Sequence, residues 1–157
     1  MAPMPEEKDP QKTRQAAKRK VMDLLARRDH SEKELRKKLR EKFSDDERVG
    51  DVVDEAIEFA KDNNWLGDPA DLAHRMAEML HRRNKGIYYI NNYLREKGLP
   101  AVESDRDLEL EKALSIVKNK YDEDHKFSRE DKAKVGRLLA SRGFDSETVR
   151  KVIYEKL

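Results

Sequence analysis

A chain of 157 residues, 43% of them charged and 36% hydrophobic, has apolar material for one medium domain or a few small stacked units, and not for a large core. It contains no cysteine, which excludes disulfide staples and thiolate metal sites. A net charge of +2 conceals strong segregation of charge along the chain. No stretch approaches the ~20 apolar residues of a membrane span, and MAPMPEEKDPQKTRQ lacks the apolar run of a signal peptide. The expectation is a soluble, cytoplasmic protein with no membrane association.

Gly and Pro are few and strand-like alternation is absent, so helix is the default. Residues 1–13 are polar, with three prolines, and read as a disordered tail. Helical periodicity starts near Arg14, with Ala17, Val21, Leu24 and Leu25 facing inward. After Arg28 the chain turns, and Ser31 with Glu34 spells a capping box that opens a second helix at Glu32. Leu35 and Leu39 give that helix a narrow apolar stripe, while Lys33, Lys37 and Arg40 fall on its far side. A second box, Ser44 with Glu47, is expected to open a third helix whose inner face runs from Val49 to Ala60. Trp65 and Leu66 are then placed as a plug between units.

Asp68-Pro69 is a cap followed by a first-turn proline. Leu72, Ala73, Met76, Met79 and Leu80 carry the next helix inward, and Arg82 and Arg83 repeat the positions of Arg27 and Arg28. Gly98 suits a left-handed helix end, and Pro100 blocks continuation. Residues 105–120 make a helix faced by Leu110, Ala113, Leu114 and Val117. Ser128 with Asp131 caps a further basic helix ended by Gly143, and Asp145 or Ser146 caps a closing helix with Val149, Val152 and Ile153 inward.

The opening helix–turn–helix therefore recurs, around Ile90 and Leu94 and again around Val135 and Leu139. This gives an all-α fold: an elongated, curved array of tandem three-helix repeats at 14–67, 68–104 and 105–157. The second repeat is shortened: the spacing after Leu94 leaves its third helix reduced or missing. Residues 105–120 serve as that helix, as the first of the third repeat, or as both, the first of the third repeat being favoured. Charge follows the repeats. Arg27 to Lys42 holds eight Lys/Arg against four Asp/Glu, Ser44 to Leu72 two against ten, and Arg82 to Gly98 five against one. Stacked copies would join their basic backs into a stripe that attracts nucleic acid or an acidic protein groove. Solvated faces and intramolecular ion pairs are the other reading of the same runs.

Taken in order, LLARRDHSEKELRKKL, WLGDPADLA, RRNKGIYYINNYLREKGL, KALSIVKNKY and RLLASRGFDSETVRKVI resemble the bacterial RecX regulatory proteins. The resemblance covers nearly everything after residue 14. It implies an all-helical protein that binds RecA, enters the groove of its filament on single-stranded DNA and suppresses its ATPase, strand-exchange and coprotease activities. Some proteins of the family also bind DNA directly. The departures from the family pattern are Tyr89 and Tyr93 flanking Ile90, the absence of a Gly after Lys42, and the helix lost after Pro100.

The candidate binding residues are the wheel positions Lys33, Lys37 and Arg40, their counterparts Tyr88 and Arg95, and Arg137 in the third copy. To these the turns add Arg27, Arg28, Arg82, Arg83 and Lys85, and Tyr89 joins as a second aromatic. The bases suit phosphates or an acidic filament groove; Tyr88 and Tyr89 suit stacking on bases or cover for the core edge, and both readings stay open. The partners expected are a RecA filament and single- or double-stranded DNA, with a monomeric state favoured by the even mixture of charge. The alternative function is a helical repeat whose main ligand is DNA. Enzymatic motifs are missing: there is no Gly-rich phosphate loop, nucleophile elbow or zinc-binding helix. His74 and His81 stand seven apart, too far for a simple ligand pair, and the Asp122–His125 cluster reads as a solvated loop. No catalytic residue, cofactor or metal is assigned.

Overall fold

The structure, a computed structural model, describes residues 9–157, and among them all regular structure is helical. The helices are α1 (Pro10–Arg27), α2 (Glu32–Lys42), α3 (Val49–Asp62), α4 (Pro69–Arg82), α5 (Ile87–Glu96), α6 (Arg106–Lys120), α7 (Arg129–Ser141) and α8 (Ser146–Lys151), the last running into a π-turn at Val152–Lys156. Two compact units result, one up to Pro69 and the other Ala70–Leu157.

In the first unit α1, α2 and α3 pack mutually around Ala17, Val21, Leu35, Leu39, Val53, Ala56 and Ile57, all fully buried. The Ser31–Glu34 capping box forms as expected, with both of its hydrogen bonds present. Three expectations are corrected here. Helix α1 begins at Pro10, four residues before the apolar periodicity, because Asp9 caps it through the Gln11 N–H and Pro10 is preset for a first turn. Pro10–Thr13 is thus helical, and the rest of the expected tail, apart from Asp9, lies outside the described residues. The Ser44–Glu47 box does not form. Asp46 takes the Arg48 N–H at 2.8 Å into a turn of its own, which delays α3 to Val49 with no side-chain cap. Trp65 is not a buried plug: it is exposed, its ring set edge-on to Phe59 at 5.2 Å between centroids.

The second unit holds two apolar clusters. Helices α4 and α5 close one around Ala73, Leu80, Ile90 and Leu94, with Leu99 completing it. Helices α6 and α7 build the other with Phe144 and Val152. On α4 the structure buries Ala77 where Met79 was expected, and Met79 stands at the surface. Helix α6 is rotated from its expected face. Leu110 and Leu114 are only partly buried, whereas Glu109 and Lys112 are enclosed. After α5 no third helix follows. The extended chain is tied to α5 by Asn91, whose Oδ1 accepts from the Val102 N–H at 2.9 Å and whose Nδ2 donates to the Val102 carbonyl at 3.2 Å.

Left-handed residues stop four helices: Asn64, Asn84, Gly98 and Gly143 have φ of 56°, 57°, 70° and 90°. In each case the next N–H reaches five residues back, from Trp65 to Ala60, Lys85 to Leu80, Leu99 to Leu94 and Phe144 to Leu139.

Candidate interaction surface

In the first unit the expected basic residues lie on the α1–α2 turn and the outer side of α2. Arg27, Lys33, Lys37 and Arg40 are exposed, and Lys33, Lys37 and Arg40 enter no ion pair among the described residues. Arg28 is used structurally. Its guanidinium donates to the Asp29 carbonyl and pairs with Glu34 at 3.1 Å, the carboxylate that closes the capping box. Two further cations of α2 are spent inside the unit. Arg36 bridges Glu32 and Asp54, at 3.7 and 2.7 Å, and Lys38 reaches His30.

His30, buried in the turn, was not expected to matter. Its Nδ1 meets the Arg28 carbonyl at 3.0 Å and its Nε2 meets Lys38 Nζ at 3.2 Å. The neutral ring fits both contacts, donating from Nδ1 and accepting at Nε2. Burial, the largest influence, lowers its pKa, helped by the charges of Arg28 and Lys38 and opposed by the Arg28 hydrogen bond and Glu34.

In the second unit Arg82, Arg83, Lys85, Tyr88 and Tyr89 converge on the α4–α5 turn. Arg82 stands 3.9 Å from Glu78 with both groups open to solvent, an ion pair worth little. Tyr88 is 63% exposed and Tyr89 40%, so neither covers the core. Lys85 Nζ lies 4.8 Å from the centre of the Tyr89 ring, within cation–π range. Arg95 is exposed further along α5, and Arg137 is exposed on α7.

The turn is held in an unusual way. Gly86, the N-cap of α5, has no side chain to cap with. Its N–H donates instead to the Arg142 carbonyl, and the Tyr88 N–H donates to the Gly143 carbonyl, both at 2.9 Å. The C-terminal end of α7 therefore caps the N-terminal end of α5, joining complementary helix-end groups and dipoles. Arg142, missed in the sequence, is exposed and brought beside this turn.

Beneath the turn lies a buried ion pair. Lys112 Nζ is 3.0 Å from Glu109 Oε1, with both side chains almost wholly enclosed. Burial is the largest influence on each: it raises the Glu109 pKa and lowers that of Lys112, and their mutual attraction opposes both shifts. The Ile87 N–H at the first turn of α5 favours the charged carboxylate, although Oε2 is left without a well-formed hydrogen bond. Spacing carried no signal for this pair, since a Glu and a Lys three apart are ordinary on a solvated helix.

Among the described residues no group of three His, Asp or Glu is placed to hold a metal ion. His81 is committed to Lys112 and His125 to Asp131. No helix of the described residues is long and apolar enough to cross a membrane.

Comparison with known proteins gives this surface a context. Residues 17–59 match the family model for RecX, first three-helix domain, and residues 107–153 that for RecX, third three-helix domain. A curated relative, regulatory protein RecX of Leptothrix cholodnii, is 31% identical, the match covering 87% of this chain and 86% of that protein. Regulatory protein RecX of Neisseria gonorrhoeae is 30% identical, covering 90% and 89%. In fold, the chain is similar to the crystal structure of RecX from Lactobacillus salivarius, with a TM-score of 0.73 at 21% identity over 92% of this chain and 96% of that one. The chain belongs to the RecX family of regulatory proteins.

Proposed function

We propose that this protein regulates RecA: it binds RecA and its filament on single-stranded DNA and inhibits the ATPase, strand-exchange and coprotease activities, modulating recombination, DNA repair and the SOS response in the cytoplasm. Membership of the RecX family, with relatives named as regulatory proteins along most of the chain, is the observation that carries this reading. Two exposed basic sets support it. One is Arg27, Lys33, Lys37 and Arg40; the other is Arg82, Arg83 and Arg95 with the two tyrosines, beside a half-buried Lys85. Cations of this kind suit an acidic groove between filament subunits. The protein acts as a monomer in this reading. The test is RecA ATP hydrolysis on single-stranded DNA, which falls when the folded protein is added; unchanged hydrolysis contradicts the reading.

A second reading, direct DNA binding, is favoured by one observation, the exposed Tyr88 beside the Lys85–Tyr89 pair. Stacking on such rings contributes about 1–3 kcal/mol per base, and each phosphate neutralised on a single strand steepens the log–log salt dependence by about 0.7. Binding to naked oligonucleotides at low salt tests it; no shift there removes it.

A further inference from the structure

Lys112 is held by three acceptors in the second unit. From α6 its Nζ donates to the Lys85 carbonyl at 2.6 Å, to His81 Nδ1 at 2.8 Å and to Glu109 Oε1 at 3.0 Å, and the Phe144 ring lies 5.6 Å away. An ammonium has three protons to donate, and these partners take all three. They come from three places: the last turn of α4, the α4–α5 turn and α6 itself. The lysine therefore pins the turn that presents Lys85, Tyr88 and Tyr89 onto the third repeat.

One of the three acceptors can be switched off. His81 Nδ1 accepts a hydrogen bond only in the neutral ring, whose proton is then on Nε2. A second proton turns Nδ1 into a donor aimed at a buried ammonium. We propose that His81 and Lys112 form a proton-sensitive latch: protonation of His81 frees the α4–α5 turn from α6 and loosens the surface that turn carries. The latch stands independently of any partner, whereas its effect on RecA binding rests on the function proposed above.

The charges around His81 define how the latch behaves. Lys112 opposes protonation, while Asp105, which caps α6, and Glu78 on α4 favour it. Burial is the largest influence, and the net effect is a pKa below the ordinary histidine value. His74 and Glu103 line the open pocket beside the ring and give water access to it. Glu109 anchors the ammonium charge from the other side, and Asp145, at the start of α8, adds negative charge near Glu109. The attraction of Glu109 at 3.0 Å favours the charged ammonium, so a proton gained by His81 sets two positive groups against each other. Movement of the turn relieves the clash instead.

The latch predicts exchange behaviour at the amides that follow the pinned turn, of which Gly86 and Tyr88 donate to the end of α7. Hydrogen exchange is followed at Gly86, Ile87 and Tyr88 from about pH 7.5 to about pH 5.5, the range over which histidines titrate, after correction for intrinsic rates. The wild type should lose protection there by up to about tenfold per pH unit once His81 titrates. His81→Gln, which offers an acceptor and no titrating group, should lose little. Equal pH dependence in the two proteins overturns the proposal. The His81 ring resonances provide a check that needs no variant. A midpoint below the ordinary histidine value of about 6.5 agrees with the latch, and one at or above it overturns it.

Discussion

Gly86 and Gly143 meet backbone to backbone: a Cβ on Gly86 would overlap the Gly143 carbonyl and the Phe144 nitrogen, and one on Gly143 would fall 2.5 Å from Tyr89 Cβ. The pairing is what lets one helix end cap another. Gly86→Ala should cost about 1–3 kcal/mol by overpacking. At Gly143, where φ is +90°, alanine adds about 1 kcal/mol of backbone strain. Thermal unfolding followed by circular dichroism should show midpoints lowered by about 2–4 °C per kcal/mol, with Gly143→Ala the worse of the two.

The buried Glu109–Lys112 pair predicts non-additive stabilities. Lys112→Met strands a carboxylate in the core and should cost about 3–5 kcal/mol, whereas the double variant Glu109→Leu/Lys112→Met should recover most of that loss. Denaturant titrations of the two single variants and the double variant provide the measurement. A double variant as unstable as the sum of the singles would show that the pair is not coupled.

His30 predicts an acid-sensitive first unit. Its folded pKa lies below the ordinary value, so the unfolded chain binds the proton more tightly. The stabilising contribution is complete above about pH 6.5 and is lost as the pH falls from there through the lowered folded value. Urea midpoints measured across that window should drop on acidification. The drop should shrink in His30→Gln, measured against its own midpoint at neutral pH.

Asn91 predicts a local defect. Asn91→Ala removes both hydrogen bonds that hold Val102, and hydrogen exchange at the Val102 amide should rise with a global loss of about 1–3 kcal/mol. Asn92, exposed on the same helix, is the control, and Asn92→Ala should leave both readings nearly unchanged.

The helices were legible because their signals are local. Ser31–Glu34 and Ser128–Asp131 form the boxes that their spelling announces, and Gly98 and Gly143 take the left-handed ends assigned to them. Ser44–Glu47 has the same spelling and fails, because a neighbouring Asp46 competes for the backbone. The Asn91–Val102 contact was not legible, since an asparagine on a helix announces no partner. The basic set was legible as charge. What spacing hid was which cations are spent: Arg28, Arg36 and Lys38 are tied into the fold, and Lys112 is enclosed by His81, Lys85, Glu109 and Phe144.

The most direct measurement of the central claim is RecA ATP hydrolysis on single-stranded DNA with the wild-type protein and with Arg82→Glu/Arg83→Glu. Both arginines are exposed, so the substitutions should leave the fold intact. Wild type should suppress hydrolysis at near-stoichiometric levels, and the charge-reversed protein, equally folded by circular dichroism, should suppress it much less. Hydrolysis unaffected by folded wild-type protein would contradict the assignment to RecA, and equal suppression by both would contradict the α4–α5 turn as the contacting surface.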